Sequence, residues 1–190
     1  GTLSAPGLQV VKCIGRVAAL EEAIERKGGL EGSIGIAHTR WATHGGVTDL
    51  SAHPHRDDAK QGHGIAIIHN GIIENYAALK TWLLEKGHVF ESETDTEVLA
   101  HLIGELYEGD LEKAVQSALR EVTGAYAIAA MCAKEPDVLV VARKGSPLMV
   151  GVGNGEYVVA SDASAIVSHT TQAFTLADYT VARLTRESFR

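Results

Sequence analysis

Residues 40–46, of sequence RWATHGG, combine residue types that suit the recognition of a carboxylate. The guanidinium of Arg40 is a rigid fork of N–H donors that matches the two oxygens of a carboxylate. Thr43 and the backbone N–H groups of the loop can add donors, and its two glycines leave it free to close over a ligand. A surface loop with an ordinary arginine and a core tryptophan accounts for the same residues equally well, so both interpretations stay open.

A second candidate is the tripeptide His69-Asn70-Gly71. Asn-Gly is the strongest short signal for a β-hairpin, and taken alone the pair favours a turn. The residues that follow, 74–86, are predicted to be helical, which fits a tight hairpin poorly. A strand that ends in Asn-Gly before a helix can present a side-chain amide and a backbone N–H side by side. That is the geometry of an oxyanion hole.

The third candidate is the segment of residues 92–97, SETDTE. Thr94 and Glu97 have the spacing of a capping box, so part of the segment is predicted to begin a helix. Asp95 is ambiguous, because its carboxylate can favour the helix N-terminus electrostatically or bind the ammonium group of a substrate. By itself the segment favours the helix-start interpretation.

Five of the nine histidines fall between residues 44 and 69 and raise the question of a metal site. They are His44, His53, His55, His63 and His69. Their spacings match no standard zinc pattern, and no cysteine accompanies them. The sequence therefore predicts neither a metal site nor a cofactor.

The chain has two cysteines, and neither belongs to a Cys-x-x-Cys pair. Cys132 lies in an apolar run and is predicted to be a small buried core residue. Cys13 has no evident helper group nearby, so neither cysteine is predicted to be a catalyst. The absence of a disulfide framework indicates a reducing compartment and hence a cytoplasmic protein.

Hydrophobic periodicity predicts the elements that must position these residues. Helices are expected from Val17 to a stop at Gly28-Gly29 and near residues 74–86, 95–107 and 110–122. The second of them carries Tyr76, Leu79, Trp82 and Leu83 on one apolar face. Strands are expected near 33–39, 64–69, 125–133, 137–143, 148–152, 157–160 and 174–184. Because the helices fall in the middle and the strands mainly late, the pattern indicates an α+β fold with antiparallel sheets. Gly151-x-Gly153-x-Gly155 lies between strands and is predicted to be a turn, not a dinucleotide-binding loop.

The composition narrows the class of partner. The 190 residues, 45% of them hydrophobic, suit one globular domain. A formal net charge of -7 argues against nucleic acid as the main partner, since phosphate binding needs a basic face. No apolar run approaches the roughly 20 residues that cross a bilayer, and the first residues do not form a secretory signal. A membrane partner is therefore not expected.

Taken in order, the candidate segments and several later ones resemble the glutaminase domain of the glutamine–fructose-6-phosphate aminotransferase family, also called glucosamine-6-phosphate synthases. The resemblance begins at about Leu8 and continues almost to the end of the chain. It rests on GIAHTRWATHG at 35–45, AHPH at 52–55, HNGIIENY at 69–76, SETDTE at 92–97, GAY at 124–126, ARKGSPL at 142–148 and ASD at 160–162. Other amidotransferases of this fold are similar around Asn-Gly but not in the RWATH and SETDTE segments.

The resemblance implies an N-terminal-nucleophile hydrolase-like fold, a four-layer αββα sandwich with antiparallel sheets. It also implies roles in binding and hydrolysing glutamine. Arg40 would bind the carboxylate of glutamine and Asp95 its ammonium, while Asn70 and the N–H of Gly71 would form the oxyanion hole. Trp41, Thr43 and His44 would lie on the loop that closes over glutamine, with His53 near that loop.

The beginning of the sequence departs from the family pattern. The family's nucleophile is a cysteine at the mature N-terminus, whereas this sequence begins Gly1-Thr2-Leu3. We therefore expect residues 1–190 to form a single glutamine amidotransferase domain without its first strand and nucleophile, and to be inactive in glutamine hydrolysis as they stand. The sugar-isomerase domains of the family would belong to the same full-length chain, which would act as a homodimer or larger assembly.

Two alternatives stay open. The domain could be a non-catalytic module that binds glutamine as a sensor. It could also be the glutaminase domain of a different glutamine-dependent amidotransferase.

Overall fold

The computed structural model describes residues 2–4, 7–40, 46–58 and 64–190, so Trp41, Thr43 and His44 lie outside the described residues. The helices are α1 (Val17–Arg26), α2 (Tyr76–Glu85), α3 (Asp95–Glu105) and α4 (Leu111–Glu121). The strands are β1 (Thr2–Ser4), β2 (Gly7–Gln9), β3 (Ile34–Gly35), β4 (His55–Asp57), β5 (Ile65–Ile73), β6 (Gly124–Cys132), β7 (Glu135–Lys144), β8 (Met149–Val152), β9 (Tyr157–Ala160), β10 (Ala173–Thr175) and β11 (Thr180–Leu184).

Three sheets organise these strands, and within each sheet the neighbouring strands are antiparallel. The largest has the order β11-β7-β6-β5-β4, and the other two have the orders β10-β8-β9 and β2-β1-β3. In the centre of the large sheet, β5 and β6 pair from Ile65 opposite Cys132 to Ile73 opposite Gly124. This confirms the predicted α+β class with antiparallel sheets.

Each face of the large sheet packs into its own hydrophobic cluster, because successive strand residues point to opposite faces. Ile65 and Ile67 pack with the apolar residues of α2, α3 and α4 on one face. Ala66 and Ile68 pack on the other face, where Leu148 and Val150 of the β8 region contribute. The chain thus stacks a helical layer, the large sheet and the β10-β8-β9 sheet.

The outer face of the β10-β8-β9 sheet is covered by the segment that follows β9. A short 3-10 helix, Ala163–Ala165, leads into Ile166, which is almost fully buried. Ile166 approaches β8 so closely that a Cβ built on Gly151 would lie 2.5 Å from its Cγ2 atom. Among the described residues, the fourth layer on this face consists of this short 3-10 helix and the residues that follow it.

The predicted helices and late strands are present, and their caps explain two of the starts. Thr94 caps α3 by accepting from the N–H of Glu97, and Asp110 caps α4 by accepting from the N–H of Lys113. One prediction about a helix face was wrong. Trp82 was expected to face inward beside Leu83, but its side chain is 38% exposed with Lys86 over its ring, while Leu83 is fully buried.

A second correction concerns the Asn-Gly pair. The strand was expected to end at His69, but β5 continues through Asn70 and Gly71 to Ile73. Gly71 has a φ of 140°, which a residue with a side chain rarely adopts. A Cβ there would clash with the carbonyl oxygen of Ala125 on the paired strand. The glycine therefore serves the close approach of two strands and not a hairpin turn.

Three short strands, β1, β2 and β4, were not predicted, since three residues are too few to show alternation. In the described part of the chain, no helix has the length and apolar character needed to cross a membrane.

Candidate functional site

A cavity of about 310 Å³ opens where β5 passes the N-terminus of α3. It is lined by His38, Thr39, Arg40, His53, His69, Asn70, Gly71, Ile72, Thr94, Asp95 and Thr96. Five of the residues predicted from the sequence meet here, namely Arg40, His53, Asn70, Gly71 and Asp95. The other three, Trp41, Thr43 and His44, lie outside the described residues.

A larger cavity of about 510 Å³ lies elsewhere, beside β3, β7 and β9. Its lining contains Asp137, Glu156 and Arg186 but none of the predicted site residues. Small-molecule sites are recognised by polar groups that converge on a cavity, and size alone does not define them. We therefore assign the candidate site to the smaller cavity, whose lining includes an arginine, an aspartate and an asparagine.

Asp95 reaches this cavity because it is the first residue of α3. Its Oδ2 atom accepts a hydrogen bond from the N–H of Ile73 at 2.8 Å, and the residue is 4% exposed. Both sequence-based interpretations of Asp95 thus apply to its position, since the carboxylate stands at a helix N-terminus and lines the cavity.

The turn before Asp95 is held by Glu97. Its carboxylate accepts from the N–H groups of Glu91 and Ser92, both at 2.7 Å, and from the Ser92 hydroxyl. The predicted capping box is therefore only half formed, because the Glu97 side chain turns to the preceding loop and not to Thr94. Burial alone would raise the pKa of Glu97, but the nearby His101 imidazole and hydrogen bonds from Ser92 and the backbone outweigh it and lower the pKa to about 2.

Asn70 and Gly71 form part of the cavity wall from the middle of the paired strands, opposite Ala127 and Tyr126. The Asn70 side chain is exposed to the cavity region, whereas its neighbour His69 is buried. The positive φ of Gly71 departs from regular strand geometry, and this departure lies where the strand borders the cavity. The two predicted oxyanion residues are thus adjacent in the structure and share one cavity with Asp95.

Arg40 lines the cavity from the end of the segment that follows β3. Its Nη1 atom donates to the carbonyl oxygen of Gly46 at 3.0 Å. This bond links the two described residues that flank 41–45, so the guanidinium stands next to the segment that the sequence predicts to close over a ligand.

The cavity histidines form a stack of imidazole rings. The ring centroids of His38 and His53 are 4.1 Å apart, and His69 donates its backbone N–H to the Nδ1 atom of His53 at 3.4 Å. Burial lowers the pKa of His38 to about 4 and holds that of His53 lower still. These rings are therefore neutral at pH 7, which leaves Arg40 as the described cation of the cavity lining.

The histidines weighed as metal ligands are used differently. His69 contacts the Thr96 hydroxyl at 3.0 Å and His55 contacts the Thr94 hydroxyl at 3.0 Å. Within the described ranges, none of His53, His55 and His69 belongs to a group of three side chains whose ligating atoms converge.

His38 and Thr96 are among the lining residues that the sequence analysis missed. His38 precedes Arg40 by two residues, so in extended chain it shares the same face, and this spacing could have revealed it. Thr96 offered no comparable signal, because its contact with His69 depends on how α3 packs against β5.

Neither cysteine lines the cavity. Cys132 is fully buried, and burial raises the pKa of its thiol. Cys132 pairs with Ile65 across the sheet. Ile65 lies six residues along β5 from Gly71, which corresponds to about 20 Å. Cys13 is half-buried and lines a neighbouring cavity of about 230 Å³, which shares Arg40 but not Asn70 or Asp95. The prediction that Cys132 is a core residue is confirmed.

Comparisons with known proteins identify the family of the chain. Residues 40–168 match the family model described as a glutamine amidotransferase domain. Over 188 residues the chain is 50% identical to a glutamine–fructose-6-phosphate aminotransferase (isomerizing) of Chlorobaculum tepidum, covering 96% of the chain and 30% of that relative. It is 51% identical over 181 residues to the protein of the same name from Thermus thermophilus, covering 95% and 29%. The chain thus spans about 30% of the length of the curated relatives it matches.

Solved structures show the same relationship. The glutamine phosphoribosylpyrophosphate amidotransferase of B. subtilis superposes with a TM-score of 0.66 at 28% identity, over 80% of this chain and 33% of that one. A structure described as the allosteric regulatory enzyme of purine biosynthesis superposes with a TM-score of 0.68 at 30% identity, also over 80% and 33%. The chain has the fold of the N-terminal-nucleophile amidotransferases and belongs to the glutamine amidotransferase domain family.

Proposed function

We propose that the cavity binds L-glutamine and that the domain hydrolyses its side-chain amide. The ammonia released would serve the synthesis of glucosamine 6-phosphate from fructose 6-phosphate. The observation that carries this proposal is the meeting of Arg40, Asp95 and Asn70 in one cavity, because an α-amino acid with a side-chain amide needs one partner of each kind.

The charged groups orient the substrate. The Arg40 guanidinium pairs with the α-carboxylate through parallel N–H donors. Since the N–H of Ile73 already occupies Oδ2 of Asp95, the substrate ammonium pairs with Oδ1. The rings of His38 and His53 are neutral, so they do not compete with Arg40 for the carboxylate. This supports the assignment of the carboxylate to Arg40 and of the ammonium to Asp95.

With both α-groups held, the side-chain amide extends toward Asn70 and Gly71. A thiolate attacks the amide carbon, and its electron pair forms the carbon–sulfur bond while the carbonyl π electrons move onto oxygen. The Asn70 amide and the Gly71 N–H donate to that oxyanion. The amide nitrogen takes up the proton that the thiol gave up, and collapse of the intermediate re-forms the carbonyl, breaks the carbon–nitrogen bond and releases ammonia. Water then hydrolyses the thioester to glutamate and regenerates the thiol.

The thiol is not either cysteine of this sequence. Cys132 lies about 20 Å along the sheet from Gly71, and Cys13 lines a different cavity. The family resemblance implies a cysteine at the mature N-terminus as the nucleophile. In the complete gene product, Cys13→Ser and Cys132→Ala should therefore both leave glutamine-dependent ammonia release intact. Loss of chemistry in either variant, with glutamine binding retained, would contradict this assignment.

Trp41, Thr43 and His44 complete the proposal as residues of the loop that closes over glutamine, with His53 beneath it. Its support is the position of the loop ends, since Arg40 lines the cavity and binds the carbonyl of Gly46 across the base of the loop. Closure would shield the cavity from bulk solvent and keep ammonia for transfer.

The acceptor is proposed from the relatives, which are named glutamine–fructose-6-phosphate aminotransferases and are about three times as long as this chain. The remaining length would hold the sugar-isomerase domains of the same polypeptide, which would act as a homodimer or larger assembly. Glutamine labelled with ¹⁵N at the side-chain amide tests the acceptor. The label should appear in glucosamine 6-phosphate when fructose 6-phosphate is supplied. Ammonia release without labelled amino sugar would indicate a different amidotransferase.

The glutamine site itself is tested with Asp95→Asn in the complete gene product. The amide oxygen of the new side chain can still accept from the N–H of Ile73, so the fold is kept while the charge is lost. We expect the KM for glutamine to rise about 10²-fold, since truncating one partner of a buried charge pair costs roughly 2–5 kcal/mol. Asp110→Asn, at the N-cap of α4, is the matched control and should change nothing, because both residue types cap helices well.

The outcomes separate the candidate functions. An unchanged KM in Asp95→Asn contradicts the proposed site. Tight glutamine binding by the wild-type gene product without ammonia release supports the sensing module instead.

A further inference from the structure

Three buried side chains converge away from the glutamine cavity: Asp57 at the end of β4, His88 after α2, and His101 in α3. Asp57 is fully buried, and the two histidines are each 3% exposed. Their ligating atoms all lie within 4.8 Å of one another. Both imidazoles turn toward the same carboxylate oxygen, with Oδ1 of Asp57 2.6 Å from Nδ1 of His101 and 3.4 Å from Nδ1 of His88.

The far nitrogen of each ring faces a second carboxylate. Nε2 of His88 is within hydrogen-bond distance of Glu105 at 3.0 Å, whereas Nε2 of His101 lies 3.7 Å from Glu97, which is too far for a hydrogen bond. A carboxylate hydrogen-bonded behind an imidazole fixes the proton on the outer nitrogen and leaves the inner lone pair for a metal, the usual arrangement around protein-bound zinc. His88 therefore presents the lone pair of its Nδ1 toward Asp57. The Nδ1 of His101 lies in a 2.6 Å hydrogen bond with Oδ1 of Asp57, which a metal ion would replace.

The cluster carries more negative than positive charge. Three carboxylates surround the two rings, and Lys86 lies 3.9 Å from Glu105 at the outer edge. Even with one imidazole protonated, the carboxylates outnumber these cations. Burying such an excess of carboxylates is costly, so the centre of the cluster favours a further cation. Two polar atoms at that centre also lack hydrogen-bond partners among the described residues, Nδ1 of His88 and Oδ2 of Asp57.

The helix is shaped to admit the Asp57 carboxylate. Gly104 lies in the last turn of α3, and a Cβ built there would clash with Oδ2 of Asp57. Glycine in a helix costs about 1 kcal/mol relative to alanine, so its presence here has a packing reason. It keeps space at the centre of the cluster for the carboxylate.

From this arrangement we infer a buried metal site in which Asp57, His88 and His101 bind a divalent transition-metal ion of the zinc type. Two imidazole nitrogens and a carboxylate are ligands that zinc prefers, and either one or both oxygens of Asp57 can bind. A tetrahedral ion with bonds of roughly 2.0–2.2 Å separates its donors by about 3.4 Å. The His88 to Asp57 distance already has this value, and His101 needs to move by less than about 1 Å.

The ion would have a structural role. It would join the edge strand β4, the loop after α2 and the middle of α3, which are distant in the chain. An ion that binds the folded state but not the unfolded chain raises stability by an amount that grows with the logarithm of the ratio of free ion to its dissociation constant. This inference is independent of the glutamine proposal, since none of its three ligands lines the glutamine cavity.

The test uses the untagged complete gene product, refolded with ZnCl₂ and dialysed against metal-free buffer. Bound zinc is measured by mass spectrometry. We expect a single ion per chain in the wild type. His88→Gln should lose the ion, whereas His88→Cys, which keeps a zinc-binding side chain, should retain it. His169→Gln is the matched control and should also retain it, since His169 is half-exposed and pairs only with Glu156 among the described residues.

A wild-type protein that keeps no zinc after dialysis overturns the inference, as does His88→Gln with wild-type zinc content. If His88→Gln fails to fold, the inference is tested by the melting temperature of the wild type, measured with ZnCl₂ and with MgCl₂. An increase with ZnCl₂ but not with MgCl₂ supports the site, and no increase with ZnCl₂ contradicts it.

Discussion

The carboxylate of Asp95 accepts a hydrogen bond from the backbone N–H of Ile73, two residues beyond Gly71 on the same strand. One bond thus joins the start of α3 to the strand that carries Asn70. If glutamine binds as proposed, the group that holds its ammonium and the groups that stabilise its oxyanion belong to one rigid unit. Their relative position then depends on strand–helix packing and not on the 41–45 loop.

Asn70→Ala should reduce glutamine hydrolysis while leaving glutamine binding nearly unchanged. The amide would donate only to the developing oxyanion, and removal of one such donor costs about 10²–10³ in kcat. Steady-state ammonia release by the complete gene product measures the effect. Asn154→Ala, in the exposed turn between β8 and β9, is the control. A normal kcat in Asn70→Ala would remove Asn70 from the oxyanion hole.

Glu97→Gln should weaken glutamine binding through the position of Asp95. The Glu97 carboxylate accepts from two backbone N–H groups and a hydroxyl, and a glutamine side chain can offer only one oxygen to them. We expect a higher KM for glutamine and a lower free energy of unfolding, by about 1–3 kcal/mol. Glu93→Gln changes an exposed neighbour and should affect neither quantity. If both variants behave alike, the turn does not depend on Glu97.

Gly104→Ala should destabilise the protein even though alanine favours helices. The added methyl group would clash with the Asp57 carboxylate, and such overpacking costs about 1–3 kcal/mol. Urea unfolding measures the change. A gain of about 1 kcal/mol, as for an exposed helical glycine, would show that the carboxylate moves away freely.

Stability should fall as the pH decreases from about 6.5 toward about 4 in part because of His38. Burial lowers its folded-state pKa to about 4, whereas the unfolded chain takes up a proton near pH 6.5. Protonation therefore favours the unfolded state within this window, and the stability present above pH 6.5 is lost as the pH falls. Melting temperatures across the window should decline less in His38→Gln than in the wild type. His169→Gln should keep the wild-type slope, and equal slopes in all three proteins would contradict the assignment.

Some of the structure follows from local sequence. The helices that begin at Asp95 and Leu111 are specified by their caps, Thr94 and Asp110, and by apolar residues at helical spacing. The late strands are specified by β-branched runs between turn residues. These signals act over a few residues, which is why they can be recognised without the fold.

The candidate site was only partly predictable. Arg40, Asn70 and Asp95 each had a structural explanation as good as or better than the functional one, and the resemblance of several ordered segments to one family favoured the functional interpretation. The structure then placed the three residues in one cavity. The half-formed capping box and the continued strand at Gly71 were not foreseen, because both depend on contacts with distant backbone.

The class of fold, the helix starts and the family could be recognised without coordinates, because periodicity, caps and ordered motifs are properties of the linear chain. Which polar residues meet could not, since that depends on how distant elements pack. Asp57, His88 and His101 have no recognisable spacing and come from three different elements. They converge because β4 and α2 both pack against α3, and that packing depends on the hydrophobic core as a whole.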